Sequence, residues 1–598
     1  MLFNSYEFIF VFLPITFFIY FMLNHKGFTR VSIIWLMCAS LSFYGYWDIG
    51  YLPLLLMSIG FNYCLSGFII KARRKNIESF ALKPTKKNLQ NLSLDSYMLG
   101  LKLGNANQSK ESNTSNDCYS KVLKNETKYK NIESKSLIIL KPKLLLFIAL
   151  TFNIALLGYF KYMNFFLETI EYIFHKDILT LNIILPLGIS FFTITQIAYL
   201  VDCYEGVVEE RSLINYALFV TFFPHLIAGP ILHHAEMMPQ FTNKNNKVLN
   251  HKNITRGIFI FSIGLFKKVV IADSFSIWAN AGFGVVDSGR FLNIFESWAT
   301  SLSYTFQLYF DFSGYCDMAI GLGLLFNIML PINFYSPYKS LNITEFWRKW
   351  HITLGRFLKS YIYIPLGGNR NDKHNRDTNK DYIDKRRINK YIYTKLKIEH
   401  IHNKIFTLRN LFIVACISGV WHGAGIGFII WGILHGIAMV IHRIYSWWID
   451  SIRDSKDNDA KNNKIRGILI SFLDSKIYKI LCWIVTFNFI NITWVFFRAE
   501  NLQGALNLLK GMFGIVWVEI PHKARLVPHF LENIYGRNDT LIYIVLAFIM
   551  CLGLKNSVEI TGKFRVNAMW AIFTMVILYT SVIILIINPY SEFIYFSF

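Results

Sequence analysis

Runs of roughly eighteen or more residues with almost no charge constrain this chain more than any other feature, because that is about the length of a helix that crosses a bilayer. They recur at 8–23 with its flanks, 144–160, 183–201 and 568–587. None of them carries the polar stripe of a helix lying on a soluble core. Only 17% of the 598 residues are charged, while 54% are hydrophobic; a soluble domain carries about 25% charged residues. The chain therefore reads as an all-α polytopic membrane protein, with roughly 11–13 transmembrane or re-entrant helices.

That reading changes what the formal net charge of +23 means. On a soluble chain it would suggest nucleic acid. Here it is the positive bias of cytoplasmic loops, so membrane lipids are expected as partners and nucleic acid is not. The eight cysteines, at 38, 64, 118, 203, 316, 416, 482 and 551, show no CxxC or paired spacing. Neither a disulfide framework nor a metal site is expected. Residues 1–8 lack a basic start and no small-residue cleavage site follows, so the first apolar run is read as a retained helix.

Basic loops suggest an orientation. Lys26 and Arg30 mark one cytoplasmic loop, and Lys71, Arg73, Arg74 and Lys75 mark another. Residues 71–143 carry sixteen Lys and Arg against six Asp and Glu, and are rich in Asn and Ser. Such a composition buries no core and is read as a disordered cytoplasmic insertion. The divisions expected are thus 1–70 as N-terminal membrane helices, 71–143 as the insertion, 144–445 as a catalytic core, and 446–598 as C-terminal membrane helices. One conflict remains: simple alternation puts the basic loop 243–256 outside, and a re-entrant segment near 224–231 would repair this.

Ionisable residues in apolar segments each need a reason. His422 stands in SGVWHGAGIGFIIWGILHG (418–436). Gly423, Gly425 and Gly427 beside it leave room for close helix approach or for a substrate. A core histidine bonded to a carbonyl is the bland alternative. His435, thirteen residues on, would face elsewhere on a continuous helix, so it and His442 are read as packing residues. Residues 344–370, TEFWRKWHITLGRFLKSYIYIPLGGNR, alternate aromatic and basic positions as an interfacial helix does, with His351 on the side of Trp347, Leu354 and Leu358. In YFDFSGYCDMAIGLG (309–323), Asp311 and Asp317 would point about 120° apart on a helix, so they are not read as one carboxylate pair. Each lines a polar cavity or is satisfied structurally, the latter being favoured. FFPHLIAGPI (222–231) reads as a broken helix carrying His225. The adjacent His233 and His234 do not face one another, and no metal is expected there.

Taken together, WHG at 421–423, RKWH at 348–351, DFSGYCDMAIGLG, the FP-x-LIAGPI pattern and IPLGGNR resemble the membrane-bound O-acyltransferase family, in its bacterial alginate O-acetyltransferase-like branch. FNSYEFIFVFLP at the start and ITWVFFRAENLQGAL at 492–506 are similar to that branch too. The resemblance covers most of the chain outside 71–143 and parts of the last hundred residues. It implies a ring of helices around a funnel and tunnel. It puts the family's histidine on His422 and its second position on His351, with Trp421, Asp311, Asp317 and Trp350 as tunnel candidates. It also implies acetyl-CoA as donor with no permanently bound cofactor, a periplasmic or membrane-anchored acetyltransferase as partner, and location in the bacterial cytoplasmic membrane. The basic insertion at 71–143 departs from the family pattern.

The residue types suit the chemistry. Acyl transfer needs a base at a hydroxyl and a group that stabilises the oxyanion. The expected activity is O-acetylation of a cell-envelope polysaccharide, either an alginate-like glycan or peptidoglycan. His422 would be the base, and His351 would orient the acyl carbonyl. The alternatives are D-alanyl transfer to teichoic acid and a glycan or solute transporter.

Overall fold

Short polar side chains set the starts of the helices. Asn293 and Glu296 form a reciprocal capping box at Ile294–Leu325. The side chains of Asn250, Asn342, Ser475 and Asn501 accept from the first-turn N–H groups of their helices, which have no partner inside the helix. The computed structural model describes residues 1–81, 141–175, 181, 183–208, 211–368, 390–454, 460–516, 529–587 and 593–594, and among these it is helical with no strand. Among the described residues, seven helices are long and apolar enough to cross a membrane, or eight if the bent pair Asn538–Gly553 and Ser557–Lys563 is one span. Thr29–Gly45, Ile189–Glu205, His251–Phe266 and Ile294–Leu325 are further helices. Their polar side chains are turned inward: Ser40, Gln196, Ser262 and Thr305 are all buried.

The chain divides into two units. One comprises Met1–Ile59, Asn153–Tyr199 and Glu210–Phe598; the other comprises Gly60–Phe152 and Leu200–Glu209. Within the second, the rings of Phe61 and Phe152 lie 4.0 Å apart. The helix Leu52–Ala81 continues ten residues past the expected start of the insertion, and the next described helix begins at Pro142. The rest of the insertion, 82–140, lies outside the described residues, as do 369–389 of the second basic stretch.

Within the first unit, His251–Phe266 packs on Ile294–Leu325 with no side chain between the backbones at two levels. A Cβ on Gly264 would meet the Gly314 carbonyl at 2.5 Å, and one on Gly257 would meet that of Gly321 at 2.8 Å. Such contact between small residues is how helices associate where lipid gives no hydrophobic drive. The helix then passes through a π turn, Lys267–Ala272, which turns two lysines inward. Lys267 pairs with Asp317 and Lys268 with Asp311, both at 2.7 Å. Lys268 also meets Asp273 at 2.8 Å. π turns often mark special sites in helices.

The loops 24–30 and 243–250 line one cavity, and Lys247 Nζ donates to Tyr20 Oη at 3.2 Å. The two basic loops therefore share a face. Before the second of these loops, the short helices Leu213–Thr221 and Phe223–Leu226 give way to coil. Residues 216 and 218–232 are buried, as a re-entrant segment near 224–231 would require.

Two expectations about 344–365 are corrected. The segment is not one helix: Ile343–Lys349 and Ile352–Leu358 are separated at Trp350 and His351, with His351 left-handed at φ 46°. Nor does its aromatic face meet the interface. Phe346 and Trp350 are buried and stacked at 5.5 Å, because Phe334, Tyr338 and Trp494 supply an aromatic core for them.

Candidate active site

The helix Lys390–His422 ends on His422, and after the turn at 423–425 the chain reverses into Ile426–Asp454. Glycine permits the closeness of this hairpin. A Cβ on Gly419 would lie 2.5 Å from the Phe428 carbonyl and 2.8 Å from Gly432 Cα. The three glycines after His422 serve packing in part: Gly423 accommodates the Phe428 ring and Gly427 the Phe496 carbonyl.

His422 is buried at 4% exposure inside an aromatic cage. Its ring centroid lies 4.9 Å from Trp421, 5.3 Å from Trp431 and 5.3 Å from Phe497. The indole N–H groups of Trp421 and Trp431 are buried and meet no acceptor among the described residues. Buried donors without a partner are uncommon, and each calls for an account.

His351 comes to the same place from the broken segment, with its ring 6.3 Å from His422 and 5.9 Å from Trp421. At that separation the imidazoles do not hydrogen-bond to each other. Asn333 holds the break. Its Oδ1 accepts from Thr353 N at 3.2 Å and Thr353 Oγ1 at 2.8 Å and lies 3.1 Å from His351 Nδ1, while its carbonyl accepts from Ile352 N at 2.9 Å. Histidine is among the residues that tolerate a left-handed conformation, and this one turns the ring from the segment's own face toward His422.

A residue that sequence reasoning passed over completes the arrangement. Lys161 lies on a π turn, Gly158–Tyr162. Its ammonium donates to the carbonyls of Trp421 and His422, each at 2.8 Å, and to Ser190 Oγ at 3.4 Å. Tyr162 Oη donates to the Val420 carbonyl. Three carbonyls at the end of the helix, which have no acceptor role inside it, are thus satisfied, two of them by a cation at its negative pole. The signal was a lone lysine in GYFKYMNFF, within an otherwise apolar span.

His422 lines a small cavity of about 40 Å³ with Lys161, Trp421, Phe191, Ile227 and the turn at Leu187–Gly188. Gly188 has φ 71°, and a Cβ there would stand 2.9 Å from the Leu226 carbonyl. A larger, polar cavity begins on the other side of Phe497, with Gly425, Phe428, Lys268, Asn280, Gln307 and Arg498 on its walls. The end of the chain reaches it through Phe593 and Ile594; Ile594 N donates to Asp311 Oδ2 at 3.0 Å.

Of the tunnel candidates, Trp421 lines the first cavity beside His422. Trp350 lines neither cavity and lies in the aromatic core, 5.1 Å from Trp494. Asp311 and Asp317 are paired separately with Lys268 and Lys267, and Asp317 also accepts from Ser557 Oγ at 2.9 Å. His435 accepts from Trp347 Nε1 and contacts Thr493 Oγ1 at 3.0 Å, His442 contacts Thr344 Oγ1, and His225 contacts the Phe219 carbonyl. His233 contacts Tyr361 Oη at 3.1 Å, and the His234 ring packs against Tyr199.

The family profile of membrane-bound O-acyltransferases matches residues 132–378, which include His351, Asn333 and Lys161. The peptidoglycan O-acetyltransferase of Helicobacter pylori is 40% identical over 100% of this chain and 98% of its own length. A Pseudomonas putida protein named "Probable alginate O-acetylase AlgI" is 32% identical over 75% of this chain and 82% of its own. The teichoic acid D-alanyltransferase of Bacillus subtilis is 24% identical over 45% of this chain and 61% of its own.

Proposed function

This chain belongs to the membrane-bound O-acyltransferase family and is a multi-pass membrane acyltransferase, and from that premise we propose that it O-acetylates peptidoglycan at the cell envelope. The observation that carries the choice of acceptor is the 40% identity with the Helicobacter pylori peptidoglycan O-acetyltransferase along essentially the whole of both chains. Acetyl-CoA is the proposed donor, on the cytoplasmic side of the bacterial inner membrane. An envelope-side acetyltransferase partner would carry the group onward.

In this reading, His422 is the general base that takes the proton from the attacking hydroxyl; as the ester C–O bond forms, the thioester C–S bond breaks and the proton passes to the departing CoA thiolate. His351, fixed through Nδ1 by Asn333, orients the acyl group from the other side of the gap between the rings. The indole N–H groups of Trp421 and Trp431 are candidate donors to the tetrahedral oxyanion. Lys161 acts through the backbone, as a positioning residue.

The test is the acetyl ester content of purified peptidoglycan and of other envelope glycans in cells carrying wild type or His422→Ala at equal membrane abundance. Loss from peptidoglycan alone is the expected result. Unchanged acetyl content in all of them would overturn the reading. Label entering from a D-alanyl carrier protein, and not from a CoA thioester, would move the chain to D-alanyl transfer.

A further inference from the structure

The loops 24–30 and 243–250 line a cavity of about 880 Å³, and none of its lining residues lines either cavity near His422. Its two sides differ chemically. One wall is Phe17, Phe18, Phe21 and Met22, from the span Glu7–His25. Phe18 is 69% exposed and Met22 49%, so this wall runs on into the surface that faces lipid. The rim carries His25, Arg30, Lys244 and Lys247, and no Asp or Glu is among the lining residues.

Lys247 is the innermost of these basic side chains. Its Nζ donates to Tyr20 Oη at 3.2 Å and stands 5.4 Å from the centre of the Tyr20 ring. Tyr20 is a neutral partner. Burial pulls the Lys247 ammonium down to about 8, and an anion beside it would favour the charged form. The position matches the chemistry: the apolar wall ends where the basic loops begin, which is the level of the headgroups.

We propose that this cavity is a binding site for one anionic phospholipid, with its phosphate on Arg30, Lys244 and Lys247 and an acyl chain along Phe18 and Met22. A soluble phosphate would meet the same cations and leave the aromatic wall in water, so the amphipathic ligand satisfies more of the lining. A zwitterionic lipid would bring its own cation among four basic side chains. The bound lipid would tie the first helical hairpin to the loop before His251–Phe266. The proposal is independent of the acyl group transferred.

The experiment uses the full-length purified protein in detergent, titrated by native mass spectrometry with phosphatidylglycerol or phosphatidylcholine of identical chains. Wild type should prefer phosphatidylglycerol. Each of Arg30→Gln, Lys244→Gln and Lys247→Gln should lower that preference about fivefold, the weight of one basic residue at an anionic surface. A melting curve without lipid that matches wild type shows that a variant is folded; Lys244→Gln, at an exposed position, serves if the others do not pass. Equal binding of the two lipids by wild type, or a preference that survives in the folded variants, overturns the proposal. Displacement of the lipid by glycerol phosphate or CoA in the same concentration range overturns it as well, in favour of a soluble phosphate ligand.

Discussion

Lys161 Nζ donates to the carbonyl oxygens of Trp421 and His422, both at 2.8 Å, across 260 and 261 residues of sequence. Lys161→Met should leave those carbonyls without their donor and let the end of the helix shift. Loss of charge-assisted hydrogen bonds of about 1.5–3 kcal/mol would lower kcat by roughly tenfold to a hundredfold. A positioning role predicts that kcat falls while KM for the acyl donor is kept, and that Lys161→Arg recovers part of the rate. A parallel loss in melting temperature with kcat intact would show a purely structural lysine.

His422 and His351 should differ in what they cost. Removal of a general base typically costs about 10²–10⁴-fold, so His422→Ala should abolish detectable acetyl transfer in membranes while insertion is unchanged. Asn333→Leu should act on the second histidine at a distance, because it removes the acceptor that meets Thr353 and His351. Unsatisfied groups at Thr353 would destabilise the protein by about 1–3 kcal/mol. Activity and thermal melting, measured together, check this: both should fall in Asn333→Leu, and only activity in His422→Ala.

The crossing at Gly419 and Gly432 leaves no room for a side chain. Gly419→Val should separate the two helices behind His422, with a loss of at least about 1–3 kcal/mol from overpacking. Gly467 supplies the control. It lies in the helix Ala460–Asp474 with open space around it, so Gly467→Ala should be neutral or stabilise by about 0.5–1 kcal/mol. Melting temperatures in one detergent would separate the two.

The pair Lys268–Asp311 is 2% and 3% exposed at the side chains. Breaking a buried pair costs about 3–5 kcal/mol where the charge left behind is unpaired, and less here because Lys268 keeps Asp273 at 2.8 Å. Asp311→Ala should thus lower the yield of folded protein in detergent more than His422→Ala does. Asp317→Ala should be milder, since Lys267 is 13% exposed and keeps a contact to Ser557 Oγ at 3.3 Å. A fully folded, inactive Asp311→Ala would instead assign that carboxylate to the reaction path.

Much of this was legible from sequence because it is local. Apolar run length places the spans at Glu7–His25, Pro142–Phe174 and Ala568–Ile587, though in the run 183–201 the helix begins only at Ile189, and His422 is conspicuous because a titratable residue in an apolar run needs a reason. His351 was recognised too, but on a continuous helix, since no local signal announces a left-handed residue whose cause is Asn333 eighteen positions earlier. The resemblance put Trp350 in a tunnel, and the structure puts it in an aromatic core that Phe334, Tyr338 and Trp494 complete.

By itself the sequence determined that the chain must live in a bilayer, and which histidines stand where charge is expensive. Only the tertiary structure decided which of them meet, that a lysine from a distant span holds the end of the His422 helix, and that two basic loops share one face. The physical reason is range. Burial and helix formation depend on residues within a turn or two, whereas a site is made by side chains that the packing of separate helices brings within a few ångströms.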